Sequence, residues 1–182
     1  MEDKIKEAKE IWTTYLAITT VLIAVCATLS TFKGGGYSTR SLMNQTNASN
    51  QWAYYQAKSI KSSLVEMQKD KLDIELNNLI KISKDQGLIS EYQKKVDTYN
   101  QKIKKYEVEK QEIYNKAKEF EVASDDAKKH SEIFGIAVIF LQVSILLSSI
   151  AALTKKKFVW IISLGISIFG FLYFANGFFL MF

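Results

Sequence analysis

The chain has 182 residues, 48% of them apolar, with one histidine, one cysteine, no proline and a formal net charge of +5. The basic surplus does not make a nucleic-acid surface: from Tyr37 to Glu132, 17 Lys and Arg interleave with 15 Asp and Glu, the pattern of solvated helix faces and not of a phosphate-binding stripe. One His and one Cys cannot assemble a metal site, and no GxxxxGK, GxGxxG or GxSxG motif occurs, so no catalytic residue, metal or cofactor is expected and the chain reads as non-enzymatic.

In chain order, residues 1–10 form a short N-terminal segment with four acids and three lysines. Residues 11–32 (IWTTYLAITTVLIAVCATLSTF) carry no charge, which is the length needed to cross a hydrocarbon core of roughly 30 Å. The mixed charge before this run and its length favour a retained anchor over a cleaved signal peptide. Lys33 and the triplet Gly34, Gly35, Gly36 follow, and a glycine triplet predicts a swivel or kink.

Residues 33–132 read as an extramembrane helical hairpin whose turn is expected near Gln86 and Gly87. The second arm has the stronger signal. Ile89, Tyr92, Val96, Tyr99, Ile103, Tyr106, Lys110, Ile113, Ala117, Phe120, Ser124 and Ala127 recur at alternating steps of three and four, a heptad seam with polar interruptions. The same phase continues through Phe134, Val138, Leu141, Ile145, Ser148 and Ala152, so one helix of about 100 Å is expected from Leu88 to Leu153. The first arm offers two stripes: Ala53, Ala57, Ile60, Leu64, Met67 and Ile74, and, displaced around the helix, Val65, Leu72, Leu76 and Leu79. The stripe facing the partner helix is therefore expected to drift.

Residues 133–153 and 158–182 are the second and third apolar runs, joined by the basic loop 154–157. The expected fold class is an all-α integral membrane protein with three transmembrane helices and a long antiparallel coiled-coil-like hairpin between the first and second. Small residues line the first run (Thr13, Ala17, Thr20, Ala24, Ala27, Thr31) and the third (Ser163, Ser167, Gly170, Gly177), as close helix packing in a membrane requires. Lys4, Lys6 and Lys9 must share a side with Lys155, Lys156 and Lys157, and the positive-inside rule makes that side cytoplasmic. The hairpin and the C-terminal end are then extracytoplasmic.

The segment QWAYYQAKSIK (residues 51–61) holds the candidate interaction residues Trp52, Tyr54, Tyr55, Gln56, Lys58 and Lys61. Trp52 and Tyr54 flank the small seam, while Tyr55 points away from it. Rings on nearly all sides suit packing between the hairpin partner and a second subunit, an interfacial aromatic belt, or a ligand or partner site. His130 precedes the second run as a polar residue of the headgroup boundary, and Gln142 is an amide inside that run, which must find a partner, most simply another helix.

These features in this order, with FLQVSILLSSIAALTKKKFVW and a glycine-punctuated last run, resemble the bacterial membrane-protein family known as domain of unknown function 4337. The resemblance extends over essentially the whole chain and places Trp52, Tyr54, Tyr55, Gln56, Lys58, His130 and Gln142 at recognisable family positions. It implies a bacterial inner-membrane protein with three spans and no established activity. The functional expectation is an oligomeric scaffold whose partners are the lipid bilayer and further copies of itself, with other protein partners open. The alternative is a small channel or membrane-permeabilising effector, which the absence of charge from all three runs disfavours.

Overall fold

A computed structural model of the chain describes residues 2–82 and 85–181, with side chains from residue 11 onward. Three helices make up the described residues, with no strand: α1 Glu2–Ile82, α2 Gln86–Thr154 and α3 Lys157–Phe179. Each contains a stretch long and apolar enough to cross a membrane. Without proline no backbone N–H is lost and no ring clashes with the preceding turn. Hydroxyls inside the apolar runs bond back to their own helix, as Thr20 Oγ1 does to Leu16 O (2.7 Å) and Thr31 Oγ1 to Ala27 O (2.9 Å).

The glycine triplet does not interrupt α1, in contrast to the expected swivel. Gly34 is the reason. A Cβ there would stand 3.0 Å from Phe134 Cβ, so the glycine is used for close approach of α1 to α2, and Ser131 Oγ fixes the contact by donating to Gly34 O (3.0 Å). Packing on both sides of the triplet overrides a helix cost of about 1 kcal/mol per glycine.

Gln86 and Gly87 already belong to α2, because the Asp85 carboxylate caps the helix, accepting from Gly87 N–H (2.9 Å) and Leu88 N–H (3.2 Å). An Asp side chain at this position satisfies donors that the first helical turn leaves free. The α2–α3 connection is Lys155 and Lys156, with Lys155 at a φ of 54°. At the other end of α3, Leu180 adopts the left-handed conformation and its N–H bonds Asn176 O, while Asn176 Oδ1 accepts from Met181 N–H (2.6 Å).

Two compact units arise from these helices, one built from the chain up to Met43 and from Ala123 onward, the other from Asn44–Val122. In the first, Trp12, Leu16 and Ala151 pack with Val159 and Trp160, and Ile23, Ala27 and Leu141 with Cys26 and Ile145. Phe134 is fully buried and meets Phe174, Phe178 and Tyr37. The buried stripe of α1 here is Trp12, Leu16, Ile23, Ala27, Ser30 and Gly34. Thr13, Ala17 and Thr31 of the expected small seam are exposed instead, because the bulky Trp12 and Ile23 gain more from burial than threonines that can bond their own backbone. The third-helix seam of Ser163, Ser167, Gly170 and Gly177 is buried as read.

In the second unit α1 and α2 run antiparallel: Trp52 meets Tyr114, and Lys58 meets Tyr106 and Glu109. Every residue of the α2 seam from Ile89 to Ala127 is buried or half-buried. Beyond it, in the first unit, Phe134, Leu141 and Ser148 are fully buried and Val138 and Ile145 half-buried as expected, while Ala152 is exposed; Ala137, Ser144 and Ala151 are fully buried as well, since α3 joins α1 as a neighbour and widens the buried face. The α1 arm departs further from expectation. Tyr55, Ser62, Val65, Leu72, Leu76 and Leu79 form its inner stripe, and Ala53, Ala57, Ile60, Leu64, Met67 and Ile74 face outward.

Candidate functional site

The aromatic segment lies on the inner face of α1 within the second unit. Trp52 makes edge contacts with Tyr55 (5.7 Å between centroids) and Tyr114 (5.4 Å). Its indole N–H donates to Glu121 Oε1 (2.7 Å), and Lys118 holds the other carboxylate oxygen (2.7 Å) while lying over the indole ring. The cluster thus joins ring packing, one charge-assisted hydrogen bond and a cation–π contact on a single indole. Tyr55, expected to point away from the seam that meets the hairpin partner, faces Tyr114 of the same chain. The cause is the inversion of the α1 stripes: the helix turns its large rings inward because they bury more area than alanines do.

One turn and a half further on, Lys58 pairs with Glu109 and lies over the rings of Tyr106 (5.0 Å) and Tyr54 (5.9 Å). The hydrogen bond between them raises the Lys58 ammonium above its usual range and holds the Glu109 carboxyl below the usual carboxylate range. Glu121 is likewise held low, first by Lys118 and then by the Trp52 N–H. Lys110, a polar interruption in the α2 seam, is raised by its hydrogen bond to Glu107. Tyr54, Gln56 and Lys61 remain on the outer surface.

His130 belongs to the first unit. Its Nδ1 lies 2.7 Å from Gly177 O; a carbonyl can only accept, so Nδ1 carries the proton. Tyr37 stacks on the ring at 4.5 Å, and Asp126 lies 3.9 Å from Nε2. His130 therefore ties α2 to the C-terminal end of α3, where carbonyls lack helical donors. A Cβ on Gly177 would meet the Phe134 ring at 2.8 Å, so that glycine is what lets α3 end against this corner.

Further along α2, buried serines link the helices. Ser163 Oγ donates to Ser144 O (2.8 Å), which leaves Ser148 to donate to Ser163 Oγ (2.7 Å). Gln142, by contrast, is exposed and makes no hydrogen bond among the described residues. Its neighbours on that outer face are Ile139 and Leu146.

The sequence reading assembled Trp52, Tyr55 and Lys58 but missed the residues that complete their contacts, Glu109, Tyr114, Lys118 and Glu121. Only Tyr114 lies near a readable pattern, one position after the seam residue Ile113; the carboxylates look like any others on a solvated face. Trp12 and Trp160, 6.3 Å apart with Lys157 over Trp12, form a second aromatic pair outside the residues that the sequence points to.

No group of metal-ligating side chains occurs among the described residues. The class defined by this architecture is an all-α protein with three potential membrane-crossing helices. A family model described as a domain of unknown function (DUF4337) matches residues 12–180, and the chain belongs to that family. No curated protein and no solved structure matches it.

Proposed function

We propose that this chain is a non-enzymatic, oligomeric scaffold of the bacterial inner (plasma) membrane, with a coiled-coil hairpin that associates with further copies of itself. The observation that carries the reading is the outward stripe of α1, in which Ile60, Leu64, Met67 and Ile74 are 64%, 52%, 65% and 63% exposed. Together with Ala53 and Ala57 these positions keep the three–four spacing of a heptad seam, the pattern by which one helix packs against another. An exposed apolar stripe on an otherwise charged helix marks an interaction surface. Lys71 occupies the seam position between Met67 and Ile74, a polar interruption of the kind that fixes register.

Gln142 supports the same reading independently. An amide facing hydrocarbon without a partner costs several kcal/mol, about the value of leaving a polar group unsatisfied, and a glutamine on a second copy supplies both donor and acceptor.

Native mass spectrometry of the detergent-extracted chain should show a defined oligomer, and Ile60→Glu combined with Met67→Glu should dissociate it. A wild-type monomer, or an oligomer untouched by both this pair and Gln142→Leu, would refute self-association. Ion current through planar bilayers holding the purified chain would favour the channel reading instead.

The orientation follows from the basic loops, with the hairpin and C-terminal end outside the cytoplasm. Lys102→Cys in a Cys26→Ser background should react with an impermeant maleimide in intact spheroplasts, and Lys156→Cys should not. The reverse labelling would turn the molecule over.

A further inference from the structure

We infer that Lys33, Gly36 and Arg40 on α1 form a seat for the phosphate headgroup of an anionic phospholipid. The inference rests on the membrane-spanning reading of the apolar run that ends at Phe32.

These three residues recur at steps of three and four, so they share one face of the helix. Between the cations the surface is bare. A Cβ at Gly35 or Gly36 would meet nothing within 4 Å, so neither glycine is used to let another helix approach, unlike Gly34. Their missing side chains leave a shallow, open hollow on the helix surface, lined among others by Phe32, Lys33, Gly35, Gly36, Tyr37 and Arg40. No acidic side chain lines it. Neither Lys33 nor Arg40 forms an ion pair among the described residues, whereas lysines of the second unit such as Lys58 and Lys118 pair with glutamates. Among the described residues the Lys33 ammonium meets the Phe178 ring at 5.9 Å and no hydrogen-bond acceptor, which leaves its donors free for an anion.

The same helix face continues into the apolar run as Leu22, Val25, Leu29 and Phe32, which are 57%, 51%, 46% and 76% exposed. An acyl chain lying on that strip brings its headgroup to the first polar turn after Phe32, where Lys33 stands. Two cations about 10 Å apart along the axis, at 1.5 Å per residue, then bracket a phosphate whose approach to the backbone is unobstructed. Arg40 adds a planar fork suited to phosphate oxygens, and each basic side chain near an anionic headgroup strengthens binding measurably. A free phosphate would share the charge chemistry but would gain nothing from the apolar strip.

The test uses the full chain in phosphatidylcholine nanodiscs doped with phosphatidylglycerol, with retained lipid measured by native mass spectrometry. Wild type should retain phosphatidylglycerol over phosphatidylcholine. Lys33→Gln and Arg40→Gln should each lower that preference about fivefold, and the pair by their product. Gly36→Leu, which fills the hollow without changing charge, should lower it too, while Lys33→Arg should preserve it. Circular dichroism checks that each variant keeps its helices, which surface changes on an open face should leave intact. Equal retention by wild type and the double Gln variant would overturn the assignment. Displacement of the lipid by inorganic phosphate as readily as by added phosphatidylglycerol would also overturn it, since the site would then be one for a free anion. Failure of the membrane reading itself is separately visible, because the chain would then leave the membrane fraction on carbonate extraction.

Discussion

The same two helices, α1 and α2, hold together by different chemistry in the two units. In the first, glycine and serine dominate beside one stacked ring, Tyr37 on His130 and Phe134: Gly34 lies against Phe134, Ser131 bonds Gly34 O, and Ser41 pairs with Ser124 at 3.1 Å. In the second they meet through rings and charges, around Trp52, Tyr55, Tyr114 and the Lys58–Glu109 and Lys118–Glu121 pairs. Side-chain size explains the contrast. Where Gly34 and the serines leave little volume between the helices, the backbones approach closely and hydroxyls bridge them. Where tryptophan and tyrosines fill that space, area removed from water and charged rims hold the pair. Only 22%, 28% and 17% of the three apolar windows is buried inside the chain, so the chain leaves most of that apolar surface uncovered by itself.

The largest effect expected from this contrast is in the first unit. Gly170→Leu places a Cβ 2.7 Å from Leu141 Cδ2 and 3.2 Å from Leu141 N, so α3 must move away from α2 at a cost of about 3 kcal/mol. Thermal unfolding in detergent should show it, and an unchanged midpoint would mean that close approach does not hold this unit together. Gly35→Ala, on open surface, should instead be neutral or stabilise by up to about 1 kcal/mol.

Next comes Trp52→Ala, which removes the two edge contacts and the bond to Glu121 and should cost about 2 kcal/mol, less than a fully buried tryptophan. Trp52→Phe keeps the ring and should recover part of that loss. Equal losses for both substitutions would show that the hydrogen bond, not the ring, carries the site.

Ser163→Ala is smaller, about 1 kcal/mol, since interhelical hydroxyls in an apolar setting contribute modestly. Its distinguishing signature is coupling: the Ser148→Ala, Ser163→Ala cycle should be non-additive because the two hydroxyls bond each other.

The smallest effect is on pH. Glu121 is held low by Lys118 and Trp52 in the folded chain, so the stability it contributes is present above the unfolded carboxylate pKa and is lost as pH falls through the lower folded value. Trp52 fluorescence should change in that acidic window, and Glu121→Gln should flatten the change.

Much of the architecture is legible because periodicity and charge are properties of the chain alone. The α2 seam from Ile89 to Ala127 is read correctly since both sides of a solvated helix must differ, and the three apolar runs declare themselves by length. Helix continuity through Gly34–Gly36 was not legible: glycine signals a break as readily as a close contact, and only the position of Phe134 and Ser131 decides between them. The α1 arm taught the same lesson more sharply. Its two stripes, one ending at Ile74 and the other at Leu79, are both apolar at helical spacing, so sequence could show that two faces were sticky but not which one the chain covers with itself. Tertiary packing turned the larger rings of Trp52 and Tyr55 inward because they remove more area from water, and thereby left Ala53–Ile74 outside. The chain by itself thus fixed where each helix lies and which faces are apolar; the choice of neighbour for each face, and with it the free cations beside Gly36 and the uncovered stripe, came from three-dimensional complementarity that no spacing rule encodes.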